Sequence, residues 1–248
     1  MSGIALITGG ASGLGRDIAA RLHRDGYHVV IADIDGPAAK AAANELGDGA
    51  RAVTCDVTSA PSVEAAVAAA TGLGALRVLV LSAAIEVRAD LTETSDEDWQ
   101  SVIDVNLKGP WLCMRAGIPA IVAAGGGSVI ALGSTLGHIG SPGYAAYCAS
   151  KGALVNLCKQ AAIEYAPDQV RVNVISPSAC ESGLFLRVTE DAPDPAALRQ
   201  RIGASVPMGR LGRADDVSSA VAFLASDASS YLSGAVLPLD GGLAARRL

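Results

Sequence analysis

Tyr147 and Lys151 stand four residues apart in a stretch with helical spacing, and together they could transfer a proton. Residues four apart share one face of a helix, so the Lys151 ammonium group would lie close to the Tyr147 phenol. A nearby cation stabilises the phenolate and lowers the pKa of the phenol from its usual value of about 10. We therefore interpret Tyr147 as a candidate general acid or base near neutral pH.

Two further polar residues, Ser134 and Asn106, each have two interpretations. Ser134 comes thirteen residues before Tyr147 and follows a predicted strand, so its hydroxyl group would reach the same cleft. A serine near the end of a strand is, however, more often a turn residue. Asn106 lies within a long predicted helix, where its amide could serve the site or could simply bend the helix or bond to its backbone.

A glycine-rich turn, TGGASGLG at residues 8–15, follows the first predicted strand and opens the first predicted helix. Glycines let the backbone approach a pyrophosphate, whose charge is met by unpaired N–H groups and by the positive end of the helix dipole. No Gly-Lys-Ser/Thr sequence follows, which excludes a P-loop. The turn therefore predicts a dinucleotide phosphate site.

Asp33 ends the second predicted strand, twenty residues after Gly13. A carboxylate at this place in a dinucleotide-binding fold accepts hydrogen bonds from the adenosine ribose, and its charge repels a 2′-phosphate. The next residue is Ile34 rather than an arginine that would attract that phosphate. These residues predict NAD(H) in preference to NADP(H).

The elements that must position these residues alternate regularly, with short β-branched runs between Ala-rich stretches of helical period. The predicted strands lie near residues 3–8, 28–32, 51–54, 77–82, 127–132, 169–175 and 235–238. The predicted helices lie near residues 13–25, 37–46, 60–71, 96–123, 144–166 and 213–226. Because crossovers between parallel strands are right-handed, this order predicts an α/β fold, a doubly wound (Rossmann-type) seven-stranded parallel sheet with helices on both faces.

One long connection, residues 176–208, interrupts the alternation. It is rich in Pro, Ser, Asp and Gly and has weak helical periodicity at 184–190 and 195–203. Ligands of open α/β sheets bind beyond the carboxyl ends of the strands, so we interpret this insertion as a substrate lid, with a mobile surface excursion as the alternative. The whole chain, residues 1–248, suits a single dinucleotide-binding and catalytic domain.

Composition excludes several classes of partner. A net charge of -6 and an aromatic content of 4% leave neither the clustered positive charge nor the stacking side chains that bind nucleic acid. The longest nearly uncharged apolar stretch, residues 78–85, is far shorter than the ~20 residues of a membrane span. The N-terminal residues lack an export pattern, so we expect a cytoplasmic protein without a membrane partner. Cysteines and histidines share no ligand spacing, and no metal site is predicted.

Taken together, the motifs resemble those of the short-chain dehydrogenase/reductase family, classical type, over nearly all of the chain. Residues 8–15 resemble its TGxxxGxG cofactor motif, and residues 209–212 with 239–242 resemble its closing strand region. The residues that resemble its catalytic tetrad are Asn106, Ser134, Tyr147 and Lys151. The resemblance implies cofactor contacts from Gly9, Ser12, Gly13, Leu14, Gly15, Asp33, Ile34, Asp56, Val57, Ser82, Ala83, Ala84, Tyr147, Lys151, Pro177 and Ser182.

The resemblance also implies reversible hydride transfer between a nicotinamide and a secondary alcohol or ketone, with no metal required. Tyr147 would exchange the substrate proton, while Lys151 would lower the pKa of Tyr147 and hold the ribose. Ser134 would bond the substrate oxygen, and Asn106 would position a water for proton relay. The small-molecule substrate would meet Glu86, Val87, Leu136, His138, Tyr144, Cys180 and the segment 178–205. His138 could recognise an anionic or carbonyl group or could be a solvated loop residue.

Three places depart from the family pattern. The Asn-Ala-Gly that follows the fourth strand is replaced by Ser82-Ala83-Ala84, which puts cofactor affinity in question. The Pro-Gly after the sixth strand reads Pro177-Ser178, and the later Thr is Ser182, which keeps a hydroxyl group for the nicotinamide amide. None of the three changes falls on a predicted proton-transfer residue.

Two other functions remain open from the sequence. A 3-oxoacyl-thioester (acyl carrier protein) reductase that uses NADPH is the nearest alternative enzyme, although Asp33 and the acidic composition do not favour it. A non-catalytic nicotinamide-binding module is the alternative from another class. The family resemblance further implies a homo-oligomer, a tetramer or a dimer, that pairs the two long helices.

Overall fold

The computed structural model describes residues 3–190 and 192–245. Within them a seven-stranded, fully parallel sheet runs in the order β3-β2-β1-β4-β5-β6-β7. The strands are β1 Ile4–Thr8, β2 His28–Asp33, β3 Ala50–Thr54, β4 Leu76–Leu81, β5 Gly127–Leu132, β6 Val170–Pro177 and β7 Val236–Leu239. The predicted doubly wound fold and its single domain are confirmed.

Apolar side chains on both faces of the central strands explain why the sheet is buried. Every residue of β1 is buried, as are all but one of the residues of β4 and of β5. One hydrophobic cluster fills each face of the sheet beneath the covering helices. Strands β2 and β3 lie on one side of β1 and strands β4 to β7 on the other, so the connections after β1 and β4 run in opposite directions and a crevice opens beyond their carboxyl ends.

Nine α-helices of the described residues cover the sheet. They are α1 Gly13–Arg24, α2 Gly36–Leu46, α3 Ala60–Thr71, α4 Asp96–Ile103, α5 Gly109–Ala123, α6 Ala145–Glu164, α7 Gly183–Glu190, α8 Pro195–Ser205 and α9 Ala214–Ala225. Helix α4 begins after Ser95, whose hydroxyl accepts a hydrogen bond from Asp98 N at 3.1 Å. In the described part of the chain, no helix combines the length and the apolar character of a membrane span.

The predicted helix at 96–123 is not uniform, which corrects the sequence prediction. A π-helical turn at Asp104–Lys108 separates α4 from α5, and Gly109 N donates to the carbonyl of Asp104, five residues back. Pro110 has no N–H group, so the ordinary bond to the carbonyl four residues earlier is unavailable at this point. The wider turn holds the buried Asn106.

The predicted long connection contains both of its weakly periodic segments as helices, α7 and α8. Helix α8 begins at Pro195 after Asp194, whose carboxylate accepts a hydrogen bond from Ala197 N at 2.9 Å. Residue 191 of this connection lies outside the described residues, as do residues 1, 2 and 246–248 of the predicted domain.

Candidate active site

A cavity of about 700 Å³ lies at the carboxyl ends of the central strands. All of the residues predicted to contact the cofactor line it. They are Gly9, Ser12, Gly13, Leu14, Gly15, Asp33, Ile34, Asp56, Val57, Ser82, Ala83, Ala84, Tyr147, Lys151, Pro177 and Ser182. The strands that carry these residues come from both halves of the sheet, so the fold gathers them at one edge.

The glycine-rich turn between β1 and α1 has no room for a side chain at Gly9, Gly13 or Gly15. Gly9 and Gly13 have φ angles of +65° and +54°, which favour glycine. A Cβ atom on Gly15 would lie 2.1 Å from the carbonyl oxygen of Gly9. Because the glycine positions leave the backbone accessible and the turn leads directly into α1, it fits the phosphates of a dinucleotide.

Asp33 ends β2 and Asp56 follows β3, and both line the end of the cavity that would hold the adenosine. The Asp33 carboxylate accepts hydrogen bonds from Ala11 N at 3.0 Å and from Asp35 N at 3.1 Å. The Asp56 carboxylate accepts from the backbone N–H and the hydroxyl of Thr58, at 2.9 and 2.7 Å. These bonds fix both carboxylates, and the second lone pair of each Asp33 oxygen stays available to ribose hydroxyl groups.

The Ser82-Ala83-Ala84 segment keeps an ordinary backbone although its family counterpart ends in glycine. Ser82 N and Ala83 N both face the Thr8 hydroxyl oxygen, at 3.2 and 3.4 Å, and that hydroxyl donates to the carbonyl of Val80. Among the described non-glycine residues only Gln169 has a positive φ angle. Ala84 therefore needs no glycine-like conformation, and its methyl group causes no backbone strain.

Tyr147 and Lys151 lie one turn apart on α6, as their spacing predicts, and Ser134 follows β5 beside them. The Lys151 Nζ atom lies 5.6 Å from the centroid of the Tyr147 ring and donates a hydrogen bond to the carbonyl of Leu132 at 2.7 Å. The Ser134 hydroxyl contacts the Tyr147 phenol and accepts from Leu136 N at 3.1 Å. Three groups suited to proton transfer thus share the inner end of the cavity.

Burial dominates the ionisation of this pair in the protein alone. It raises the pKa of Tyr147 well above its usual value, and the charge of Glu86 raises it further, while the Ser134 hydrogen bond lowers it. Burial lowers the pKa of Lys151 to about 8, and the charge of Glu86 acts in the opposite direction. Desolvation thus raises the pKa of Tyr147, contrary to the lowering expected from its spacing to Lys151.

Asn106 does not line the cavity, and its side chain is bonded to neighbouring residues. Its Oδ1 atom accepts from Ile85 N at 2.9 Å, and its Nδ2 atom donates to Ile85 O at 2.8 Å and to Ser150 Oγ at 3.3 Å. Asn106 thus ties the loop after β4 to the π-helical turn. This is the backbone-bonding interpretation of an amide inside a helix.

The residues predicted to meet the substrate divide into two groups. Glu86, Leu136, Tyr144 and Cys180 line the cavity, whereas Val87 and His138 do not. His138 lies on the exposed side of the short 3-10 turn at Thr135–Gly137, and its Nε2 atom is 3.1 Å from Ser176 Oγ. This exposed position favours the solvated-loop interpretation of His138 over a contact with the substrate.

Sequence reasoning missed several lining residues, among them Cys55, Ile85, Arg88, Val105, Thr135, Ser141 and Leu243. Ile85 and Arg88 flank Glu86 directly after β4, so the rule that ligands bind beyond strand ends could have found them. Leu243 comes from the far end of the chain, and no sequence signal connects it with the site. In residues 3–190 and 192–245, no group of three or more His, Cys, Asp or Glu side chains is arranged to hold a metal ion.

A parallel sheet with a glycine-rich turn at its crossover point defines a Rossmann-type dinucleotide-binding fold, and the Tyr-Lys pair lines the same cavity as that turn. The family described as Enoyl-(Acyl carrier protein) reductase, of the short-chain alcohol dehydrogenase type, matches residues 9–244. The chain belongs to the short-chain dehydrogenase/reductase family, whose fold binds a nicotinamide cofactor.

Three similar proteins illustrate the range of this family. The 2,5-dichloro-2,5-cyclohexadiene-1,4-diol dehydrogenase LinX of Sphingobium indicum is 39% identical, over 96% of this chain and 95% of its own. The cis-4-hydroxycyclohexanecarboxylate dehydrogenase of Sinomonas cyclohexanicum is 38% identical, over 98% and 96%. The crystal structure of a 3-ketoacyl-(acyl-carrier-protein) reductase from Brucella melitensis, complexed with NADH, has a TM-score of 0.89 and 34% identity, over 97% and 98%.

Proposed function

We propose that this protein is an NAD(H)-dependent dehydrogenase that interconverts a secondary alcohol and a ketone. The observation that carries the proposal is that Ser134, Tyr147 and Lys151 share one cavity with the glycine-rich turn and Asp33. The nicotinamide, when bound, accepts or donates the hydride. The chain itself supplies the binding site, the orientation of the substrate and the proton transfer.

Each polar group at the inner end of the cavity has a proposed role. The Tyr147 hydroxyl exchanges a proton with the substrate oxygen, and the Ser134 hydroxyl donates a hydrogen bond to that oxygen. Lys151 uses one N–H group on the Leu132 carbonyl, and its remaining donors are suited to a ribose hydroxyl. The Asn106 side-chain amide is hydrogen-bonded to Ile85 and Ser150. Its proposed role is therefore to hold the loop after β4 in place rather than to bind a relay water.

Asp33 supports a preference for NAD(H) over NADP(H). Its carboxylate is fixed at the end of β2 by two backbone N–H groups, so it cannot easily turn away from a 2′-phosphate. The following residue, Ile34, is 70% exposed and offers the phosphate no positive charge. Repulsion between the carboxylate and a dianionic phosphate is the physical basis of this preference.

The segment after β6 is proposed to form the substrate lid. Leu184 and Phe185 of α7 and Leu198 and Ile202 of α8 line the cavity. The base of the lid rests on the phosphate turn, because a Cβ atom on Gly183 would lie 2.9 Å from the Cα atom of Gly13. These apolar residues would cover the body of the substrate and exclude water during transfer.

Six-membered-ring alcohols are the substrate class that we propose. Two of the similar proteins are named as dehydrogenases of a cyclohexadiene diol and of a hydroxycyclohexanecarboxylate. The apolar lid residues and Leu136 suit the hydrocarbon part of such a ring. Reduction of a 3-oxoacyl thioester is the second candidate, favoured by the similar 3-ketoacyl reductase structure and disfavoured by the net charge of -6.

One experiment tests the cofactor and the acid/base residue together. Wild type and Tyr147→Phe are titrated calorimetrically with NADH and with NADPH, and turnover of cyclohexanol with NAD⁺ is measured for both. We expect NADH to bind at least about tenfold tighter than NADPH to both proteins, and turnover to fall by about a thousandfold in the variant.

The possible results separate the competing functions. Turnover that survives in Tyr147→Phe contradicts the assignment of the acid/base. Tighter binding of NADPH contradicts the Asp33 argument and favours the 3-oxoacyl reductase. If neither NADH nor NADPH binds, the proposed function is wrong. The alternative of a non-catalytic nicotinamide-binding module is then wrong as well.

A further inference from the structure

Glu86 is the one acidic side chain on the substrate side of the cavity among the described residues. It follows β4 and is partly buried, and burial raises its pKa. Within residues 3–190 and 192–245, no donor makes a hydrogen bond to its carboxylate and no cation lies within 4 Å of it. Among the described residues, Glu86 thus lines the cavity without a hydrogen-bond or salt-bridge partner for its carboxylate.

The loop that carries Glu86 is held against the start of α6. Ala89 N donates to the carbonyl of Gly143 at 3.1 Å, and Ala89 pairs with Tyr144 in a short parallel bridge. The Arg88 guanidinium lies 5.7 Å from the centroid of the Tyr144 ring, and the rings of Tyr144 and Tyr147 meet edge to face at 6.4 Å. The position of Glu86 relative to Tyr147 is therefore set by backbone bonds and packed rings.

Charge at a distance connects the same groups. The Glu86 carboxylate raises the pKa of both Tyr144 and Tyr147, so it lies within electrostatic range of the proposed acid/base. Glu86 and Tyr144 line the same cavity as Tyr147 and Ser134, so a substrate whose oxygen is held at Tyr147 and Ser134 shares that space with Glu86.

We infer that Glu86 accepts a hydrogen bond from a second hydroxyl group of the substrate, so that the protein selects diols over simple alcohols. This inference rests on the proposed function and names the substrate class of that same site. A hydrogen bond to a carboxylate is about twice as strong as one between neutral groups. A simple alcohol would leave the partly buried carboxylate without a donor, which is how buried polar groups discriminate against a substrate that lacks the matching hydroxyl.

The surrounding charges disfavour an ammonium group as the partner of Glu86. Arg88, Arg187 and Lys151 all act on its carboxylate and would repel an ammonium group in the same space. A carboxylate on the substrate would be repelled by Glu86 and attracted by Arg88 and Arg187. A neutral hydroxyl group is not repelled by these charges. It gives the partly buried Glu86 carboxylate a hydrogen bond in place of the one to water that burial removes.

The test compares three ring alcohols in wild type and in Glu86→Gln, with NAD⁺ as the oxidant. The substrates are cyclohexane-1,4-diol, cyclohexanol and cis-4-hydroxycyclohexanecarboxylate. We expect wild type to have a kcat/KM at least about tenfold higher for the diol than for cyclohexanol, about 1.4 kcal/mol. In Glu86→Gln the lost charge also changes the pKa of Tyr147 and so acts on every substrate, but we expect the ratio of kcat/KM for the diol to kcat/KM for cyclohexanol to fall about tenfold, mainly through the KM of the diol.

A matched control separates the local effect from a change of net charge. Glu93→Gln removes the same charge from an exposed position in the same loop, away from the cavity, and should leave all three rates unchanged. Equal losses on diol and cyclohexanol in Glu86→Gln would overturn the inference, as would a wild-type preference for the carboxylate substrate. A wild type that turns over none of the three would also overturn it, and the NADH titration then shows whether the proposed function is wrong as well.

Discussion

The two ends of the cavity are built from different parts of the chain. At the adenosine end, the lining consists of backbone and short side chains at strand ends, and its carboxylates are held by bonds within the chain, as Asp33 is by Ala11 N. At the substrate end, the lining consists of long side chains from loops and from the lid. There Glu86 has no bonded partner among the described residues, and Arg187 is exposed.

The adenosine end is therefore defined mainly by the shape of its backbone, whereas the substrate end is defined by the chemistry of its side chains. The turn at residues 8–15 tolerates little added volume, because a Cβ atom on Gly9, Gly13 or Gly15 would lie less than 3 Å from backbone atoms. The substrate end can change its chemistry through single side chains without altering the sheet, as expected of loops on a rigid scaffold. We therefore expect the first end to be sensitive to added volume and the second to charge and hydrogen bonding.

The largest effect expected from a single methyl group is at Gly15. In Gly15→Ala the new Cβ atom would lie 2.1 Å from Gly9 O and 2.8 Å from Gly9 C, and both are backbone atoms that cannot rotate away. We expect the turn to shift and NADH affinity, measured by calorimetry, to fall at least about a hundredfold, about 2.7 kcal/mol.

Gly140→Ala, in the loop between β5 and α6, is the matched control for Gly15→Ala. No atom lies within 4 Å of its added Cβ position, and its φ angle is not in the left-handed region. NADH affinity should change less than about twofold. Equal losses of NADH affinity in Gly15→Ala and Gly140→Ala would contradict the prediction that the adenosine end is sensitive to added volume.

A smaller effect is expected at Lys151, where the two ends of the cavity meet. Burial lowers its pKa from 10.5 to about 8, so between these pH values the unfolded chain binds a proton that the folded chain does not. Stability contributed by this group therefore rises with pH across that window. We expect the free energy of unfolding of wild type, relative to Lys151→Met, to increase by about 2 kcal/mol between pH 7.5 and 9.5.

Urea denaturation at several pH values measures this difference. The methionine leaves the Leu132 carbonyl without its donor, but that cost does not depend on pH and cancels from the comparison. A difference that is constant with pH would mean that Lys151 titrates normally in the folded protein.

The smallest effect is expected at Ala84, where the family has glycine. Because Ala84 has an ordinary backbone conformation, Ala84→Gly relieves no strain. It should increase the freedom of the unfolded chain and lower stability by about 0.4 to 1 kcal/mol, measured by urea denaturation. NADH affinity should change less than about threefold, and a larger gain would mean that the alanine methyl obstructs the cofactor.

Much of the cofactor end could be predicted because its signals are local. The strand ends in the sequence predict where Gly9, Asp33 and Asp56 lie, because each is at or just after the end of a strand. The helical repeat predicts that Tyr147 and Lys151 share one face of α6. His138 could not be placed in the same way. It is close in sequence to Ser134, but the 3-10 turn between them directs it to the outside of the cavity.

The amino-acid sequence by itself determined the order of strands and helices, the glycine-rich turn and the Tyr-Lys pair. Each of these features depends on hydrophobic periodicity or on the spacing of residues that are close together in the chain. Only the tertiary structure decided that Asn106 bonds to Ile85, that Glu86 shares the cavity with Tyr147 and has no hydrogen-bond partner among the described residues, and that Leu243 joins the cavity. Those contacts join segments far apart in the chain, and their positions depend on how loops pack after the sheet has formed.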